Sequence, residues 1–200
     1  RRVFAPRTVE QVVAVVELAR RGVGSGPVPL RAVGRLHSPS DLPFSLGWTV
    51  RTDELQGIVR VDAEHGEVCV LAGTYLSTLS DALRTHDPPL GLHNLGSISQ
   101  QTVAGILATA THGSGVHFPV ISADVRALEL VCPHASGAEV VACSRAERPE
   151  LFNATLCGLG ATGIVVSVTL SVERAFCLRQ VQEEVHINEL LGDEPVSYTH

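Results

Sequence analysis

Apolar and polar positions alternate along this chain in two rhythms, one helical and one extended. Val9, Val12, Val13, Val16 and Ala19 recur at helical spacing behind the capping-box pair Thr8 and Gln11. Arg20-Arg21-Gly22 then supplies cations at the carbonyl end and a glycine to stop the helix. A loop over residues 22–29 follows. Strands are predicted over 28–33, 48–51 and 57–62, which with the helix make a β/α unit of about the first 65 residues. Residues 67–72 read as another strand. Leu76, Leu79 and Leu83 mark a helix that must end before Asp87-Pro88-Pro89.

Residues 91–101 show neither period, and 102–110 form a short helix rich in alanine. Strands over 124–131 and 138–142 flank the turn His134-Ala135-Ser136-Gly137, a hairpin pattern. Pro149 suits the first turn of a helix that continues over 150–157. In 164–172, Val166, Val168, Leu170 and Val172 fall on one face and Val165, Ser167, Thr169 and Ser171 on the other. That alternation predicts a strand with one buried face. Residues 185–191 mark the start of a further element, and no internal repeat or low-complexity segment interrupts the order.

Composition narrows the class. With 200 residues, 44% apolar, 18% charged and 4% aromatic, the chain is globular and long enough to bury roughly 70% of its unfolded surface. A net charge of −6 argues against a nucleic-acid binder, whose footprint is basic. Cys69, Cys132, Cys143, Cys157 and Cys177 are odd in number and form no C-x-x-C pair, so buried free thiols in a reducing compartment are expected, with no metal site. No apolar run approaches the ~20 residues of a membrane span, and no signal-peptide pattern opens the chain. The chain starts at Arg1, contains no methionine and stops at His200 in mid-pattern, which reads as a fragment or an excised domain.

Three stretches carry candidate chemistry. Gly158-Leu159-Gly160-Ala161-Thr162-Gly163 matches the dinucleotide fingerprint G-x-G-x-x-G, with Glu183 downstream. Here, however, a helical pattern precedes the glycines and a strand follows, the reverse of the order that puts helix N–H groups on a pyrophosphate. A helix-to-strand turn whose backbone approaches a ligand is expected instead. The second stretch, Gly34-Arg35-Leu36-His37-Ser38-Pro39, ends a strand in a loop, where exposed N–H groups can seat an anion and one imidazole is presented. Taken alone, such a His-Ser-Pro loop is an ordinary polar turn. The third runs from Gly91 to Gly115. Gly96, Ser97 and Thr102 stand at the start of a short helix, where donors and dipole favour an anion. Ala104, Gly105 and Ala108 let a flat group lie against its backbone, and Thr111-His112-Gly113-Ser114-Gly115 follows.

The string from Ala108 to Gly115, the Asn94-Leu95-Gly96 approach and the His37-Ser38-Pro39 loop resemble the flavin domain of the aldonolactone oxidases. These belong to the vanillyl-alcohol-oxidase family, and the fungal D-arabinono-1,4-lactone oxidases give the nearest likeness. The resemblance extends from Phe4 and Pro6 through Arg51-Thr52-Asp53-Glu54-Leu55 and Pro149-Glu150-Leu151-Phe152 to Phe176. It implies an α+β, two-subdomain FAD-binding fold of the PCMH type, with FAD between subdomains 1–65 and 66–176. Residues 177–200 would begin a truncated C-terminal cap domain or tail.

By the same resemblance Gly34, Arg35, Leu36, His37 and Ser38, with Gly96, Ser97, Gln101 and Thr102, hold the diphosphate. Gly105, Thr109, His112 and Gly113 lie along the flavin, with Gly163 and Val165 at the adenine end. His37 matches the position of covalent flavin attachment. The implied reaction is oxidation of D-arabinono-1,4-lactone or a similar aldonolactone by O2, with a hydride passing from lactone C2 to flavin N5. The products are an ascorbate-type compound and hydrogen peroxide. The alternatives are a catalytically incomplete flavin-binding remnant and a lactone dehydrogenase with another acceptor. The catalytic acid–base groups belong to the cap domain and are not assigned. Partners are the lactone and O2, without nucleic acid. The full-length protein is expected to be intracellular and, as in fungal relatives, associated with mitochondrial membranes.

One position departs from the family pattern. The usual loop reads Gly-x-Gly-His-Ser, and Leu36 stands where the second glycine belongs. If that position needs a positive φ, leucine costs roughly 1–2 kcal/mol, which Arg35 would offset by pairing with a phosphate.

Overall fold

A computed structural model describes residues 2–22, 24 and 26–187. The first helix, α1 (Val9–Arg21), forms where its pattern predicts, with Val12, Val16 and Ala19 buried. Its start is tied twice: the Gln11 N–H donates to Thr8 Oγ1 at 3.3 Å, and Arg7 N–H donates to Gln11 Oε1 at 2.7 Å. The Gly22 N–H closes the other end on the Leu18 carbonyl.

Near that end Glu17 accepts hydrogen bonds from Arg20 and Arg21, at 2.8 and 2.6 Å. The Arg20 bond first, then Arg21, draws its carboxyl from the ordinary 4.5 down to about 2. A carboxylate depressed on folding stabilises fully above its unfolded value and loses that contribution as pH falls through the folded one. Between pH 4.5 and about 2 the parent chain should therefore lose stability that Glu17→Gln no longer has to lose. Denaturant midpoints across that range check this. Added salt should shrink the difference, because both arginines contact solvent.

Two sheets carry the rest. The smaller is parallel, ordered β1-β3-β2, from β1 (Val3–Phe4), β2 (Leu30–Val33) and β3 (Trp48–Arg51). The larger is antiparallel and comprises β4 (Ile58–Asp62), β5 (Glu67–Leu71), β7 (Val125–Pro133), β8 (Ala138–Ser144) and β9 (Ile164–Ser171), in the order β4-β5-β9-β7-β8. A two-stranded pair joins β6 (Leu90–Gly91) to β10 (Glu173–Arg174). The helices α2 (Leu76–Arg84), α3 (Val103–Ala108) and α4 (Pro149–Thr155) fall within the segments their patterns predict.

The change of sheet falls between Arg51 and Ile58. The strand at 58–62, grouped from sequence with the first 65 residues, thus hydrogen-bonds into the larger sheet. Two apolar clusters hold the layers. One joins Leu79 of α2, Ile106 and Leu107 of α3, and Phe152 of α4 to Val70, Leu128 and Val168. The other joins Val12 and Val16 of α1 and Val50 of β3 to Val131, Ile164 and Val166, which fixes the small sheet against the large one.

Three expectations change. Strand β9 is buried on both faces, because it lies between β5 and β7 and long side chains cover its polar positions. Ser167 donates to Glu129 Oε2 at 2.6 Å, and Arg126 Nε donates to Ser171 Oγ. Alternation of serine with valine reported chemistry correctly and burial wrongly. Of the cysteines expected to be buried, only Cys143 is; Cys69 and Cys132 are half-buried, Cys157 and Cys177 are exposed, and all five are free thiols. Residues 91–101 are mostly irregular, but Gly91 belongs to β6, a pairing set by β10 and invisible to local pattern. Of the element expected at 185–191, residues 188–191 lie outside the described residues. Residues 177–186 carry no regular element.

Candidate functional site

Two loops distant in sequence meet at Thr102. Gly34, the residue after β2, comes so close that a Cβ there would stand 2.5 Å from Thr102 Oγ1. Thr102 is itself bridged to Tyr75 in a one-residue antiparallel contact. A cleft opens from this point. Gly34, Arg35, Leu36, His37 and Ser38 form one wall; Gln101, Thr102, Gly105 and Thr109 form the other. Gly163 and Val165 also line the cleft.

The remaining expected residues, Gly96, Ser97, His112 and Gly113, do not line this cleft. Gly113 is pressed against Asn94 Oδ1 and the Leu95 carbonyl with no room for a Cβ. His112 turns its Nδ1–H onto the Gly113 carbonyl at 2.8 Å. Gly113 thus packs against protein: glycine pattern cannot separate close approach to a ligand from close approach to protein.

The start of α3 also differs from expectation. Its first two N–H groups are already used, Val103 donating to the Thr74 carbonyl and Ala104 to that of Ala72. The helix has only six residues, so its dipole is short. Thr102 Oγ1 is buried, makes no capping bond, and has no hydrogen-bond partner among the described residues.

Leu36 has φ +58° and is more than half exposed. The loop thus takes the left-handed backbone that the expected glycine would favour, with leucine in its place. His37 beside it is exposed and lines the cleft. Sequence reasoning missed Arg31 and Leu159 as cleft residues. Alternation within β2 gives Arg31 a side, but only its bond to the Leu159 carbonyl, at 3.0 Å, shows that the glycine-rich turn lies opposite. That turn is a helix-to-strand connection between α4 and β9, as its order predicted.

In a chain of net charge −6, the formal charges lining the cleft are Arg31 and Arg35, with no carboxylate among the lining residues described. Asp53, 2% exposed, lies behind the wall. Burial pushes its carboxyl up, but the Arg51 fork, at 3.1 and 2.6 Å, and the more distant Arg35 outweigh that and hold it below the ordinary value.

A positively charged cleft between glycine-bearing loops suits an elongated anion. Residues 1–142 match the family described as FAD binding domain. The chain belongs to that family. D-arabinono-1,4-lactone oxidase of Yarrowia lipolytica is 35% identical, aligned over 95% of this chain and 35% of its own length. L-gulonolactone oxidase of Scyliorhinus torazame is 31% identical over 95% of this chain and 41% of its own. The chain therefore spans about a third of the length of the first of these relatives. Cholesterol oxidase from Brevibacterium sterolicum, a histidine-to-alanine mutant, superposes with a TM-score of 0.75 at 21% identity, over 86% of this chain and 34% of that one. The fold is thus the α+β, PCMH-type FAD-binding fold.

The residues of this FAD-binding domain fit the cofactor. The cleft lining brings Arg31 and Arg35 to a diphosphate, with no carboxylate among the described lining residues. Beside it Ala104, Gly105 and Ala108 leave low relief for a planar ring. For Leu36→Gly, relief of left-handed strain, roughly 1–2 kcal/mol, and the added chain entropy of glycine, roughly 0.5–1 kcal/mol, oppose each other. The variant should be as stable as the parent or more stable by up to about 1.5 kcal/mol. Urea titration checks the sign.

Proposed function

We propose that this chain is the FAD-binding domain of a sugar-lactone oxidase acting on D-arabinono-1,4-lactone or a similar aldonolactone. The observation that carries the reading is the cleft itself, which the loop at residues 34–38 lines together with Gln101, Thr102, Gly105, Ala108 and Thr109 of the α3 segment. Relatives at 31% and 35% identity named for lactone oxidation support it.

In this reading residues 34–38 with Gln101 and Thr102 bind the diphosphate, Gly105 and Thr109 lie along the ring system, and Gly163 and Val165 face the adenine end. Bound FAD would supply the redox chemistry, taking a hydride from the lactone and passing two electrons to O2 to give hydrogen peroxide. His37 is proposed as the point of covalent attachment, because it is the one imidazole on the cleft wall among the described residues.

The absorption spectrum of the purified chain, before and after acid precipitation, tests this. Flavin bands that stay with the pellet are expected. Flavin left in the supernatant would overturn attachment at His37, and a colourless chain that FAD cannot reconstitute would overturn the cofactor reading. Full-length protein should release peroxide from D-arabinono-1,4-lactone. Lactone oxidation seen only with an artificial acceptor would make it a dehydrogenase, and flavin binding without turnover would make it a remnant.

A further inference from the structure

The stretch 35–46 between β2 and β3 is fixed to the protein at its two ends and almost nowhere between. On one side, Thr52 N–H donates to the Val33 carbonyl, and Gly34 is wedged against Thr102 Oγ1 with no space for a Cβ. On the other, Trp48 N–H donates to the Pro29 carbonyl, and Gly47 sits against that same carbonyl just as tightly. Between these anchors the backbone bonds are local, Phe44 N–H to the Asp41 carbonyl and Gly47 N–H to Ser45 Oγ. Residues 35–42 are all exposed, as are Phe44 and Leu46. Few buried contacts and few bonds to the body mark a segment that opens at low cost. The same stretch lines the cleft with Leu36, His37, Ser38, Leu42 and Pro43.

Among the described residues, one hydrogen bond crosses from this strap to the body. Arg35 Nη1 reaches Asp53 Oδ2 at 3.5 Å, and its guanidinium lies over the Tyr75 ring, 5.8 Å from the centroid. Asp53 is 2% exposed and Arg35 about half. The contact is long because Arg51 already takes both carboxylate oxygens, Nε on Oδ1 at 3.1 Å and Nη2 on Oδ2 at 2.6 Å. That pairing fills the fork geometry a carboxylate offers one guanidinium. Arg35 therefore comes second to an occupied carboxylate, and a half-exposed pair of this kind holds weakly.

We infer that residues 35–46 form a strap that gates the cleft, closed by a latch of Arg35 on Asp53 that Arg51 keeps weak. The inference rests on the FAD reading above and concerns how the cofactor enters and leaves, not what it touches once bound. Asp53 acts through Arg35 and is a positioning residue. With the ends held at Gly34 and Gly47, breaking the latch lets the strap swing off the cleft, taking its wall residues along. Exchange needs the latch open in both directions. A weaker latch thus speeds association and dissociation by the same factor and leaves Kd unchanged, whereas loss of a ligand contact raises the off-rate alone. Arg51 gives the opposite sign. Without it, both Asp53 oxygens go to Arg35 and the latch tightens.

Stopped-flow fluorescence with FAD measures both rates on the full 200-residue chain, in a His37→Ala background that keeps the flavin exchangeable. Asp53→Asn should raise both rates by up to about fivefold, the weight of one half-exposed ion pair, and leave Kd unchanged. Arg51→Gln should lower both. Damage to the fold loosens the strap in either variant and cannot slow exchange, so the opposite signs separate latch from damage; thermal denaturation of each chain records the damage itself. Chymotrypsin on the FAD-free chains reads the latch without cofactor, by mass spectrometry of the cut after Phe44, which is 73% exposed. That cut should be faster in Asp53→Asn and slower in Arg51→Gln than in the background chain. Exchange rates that do not move, or that rise in both variants, overturn the inference and leave the FAD reading standing. A change in the off-rate alone also overturns it, because it makes Arg35 a ligand contact and not a latch. If the background chain binds no FAD, the FAD reading itself fails, and equal cleavage after Phe44 in all three chains would still overturn the latch.

Discussion

Gly34→Ala weakens FAD binding by about ten- to a hundredfold, and the loss is steric. A Cβ at residue 34 would stand 2.5 Å from Thr102 Oγ1, closer than real side chains tolerate. Threonine cannot swing aside, because its branched Cβ has few rotamers and Thr102 is 1% exposed. The loop must therefore lift, carrying Arg35, Leu36, His37 and Ser38 away from the opposite wall. Overpacking of this kind costs about 1–3 kcal/mol, and the same energy in affinity is roughly one to two powers of ten. Fluorescence titration with FAD measures the loss, and thermal denaturation should show the accompanying fall in Tm. Adding Thr102→Ala removes the colliding atom and should restore the Tm. If the double variant is no more stable than Gly34→Ala, the collision is not the cause.

Phe152→Ala should cost more stability than Gly34→Ala, about 3–5 kcal/mol. Phe152 is fully buried and belongs to the main apolar cluster with Ile106 and Leu107. Its removal leaves a cavity that α4, tied to α3 by the Cys157 N–H on the Leu107 carbonyl, cannot close. A drop in Tm of roughly 6–20 °C follows for a domain of this size. The change should also reach the cleft. The turn after α4 hangs on α3 through the Cys157 N–H to Leu107 carbonyl and Leu159 N–H to Ala108 carbonyl bonds, and Leu159 and Gly160 line the cleft. Calorimetry with and without FAD checks both effects. A drop of less than about 3 °C would show that the neighbours collapse into the space.

Much of the fold was legible in the sequence. Thr8 and Gln11 marked the first helix, Leu76, Leu79 and Leu83 the second, and the order helix, glycines, strand at 158–163 excluded a nucleotide-binding turn of the dehydrogenase kind. Those are local matters: a capping hydroxyl, a period of apolar positions, a turn residue. Burial of Ser167 and Ser171 was not legible, because a serine says nothing of the glutamate or arginine on a neighbouring strand that will cover it.

The candidate site divides the same way. Residues 34–38 and 101–109 stood out as glycine-bearing loops, and they share a cleft. Gly96 and Gly113 stood out equally, yet Gly113 serves Asn94 and Leu95. Leu36 could be seen to depart from the expected pattern, but only the fold showed that its backbone is left-handed at φ +58°.

By itself, then, the sequence determined the elements, their order and the two loops, since capping, periodicity and turn chemistry act between residues a few positions apart. Tertiary structure decided which donors remain for a ligand. Pairing of β5 with β9 and the bridge from Tyr75 to Thr102 bring carbonyls to the start of α3 and consume its N–H groups. The Arg51 fork on Asp53 leaves Arg35 in surplus at the same corner. Hydrogen-bond satisfaction and charge balance are summed over everything within a few ångströms, and those neighbours come from residues far apart in the chain.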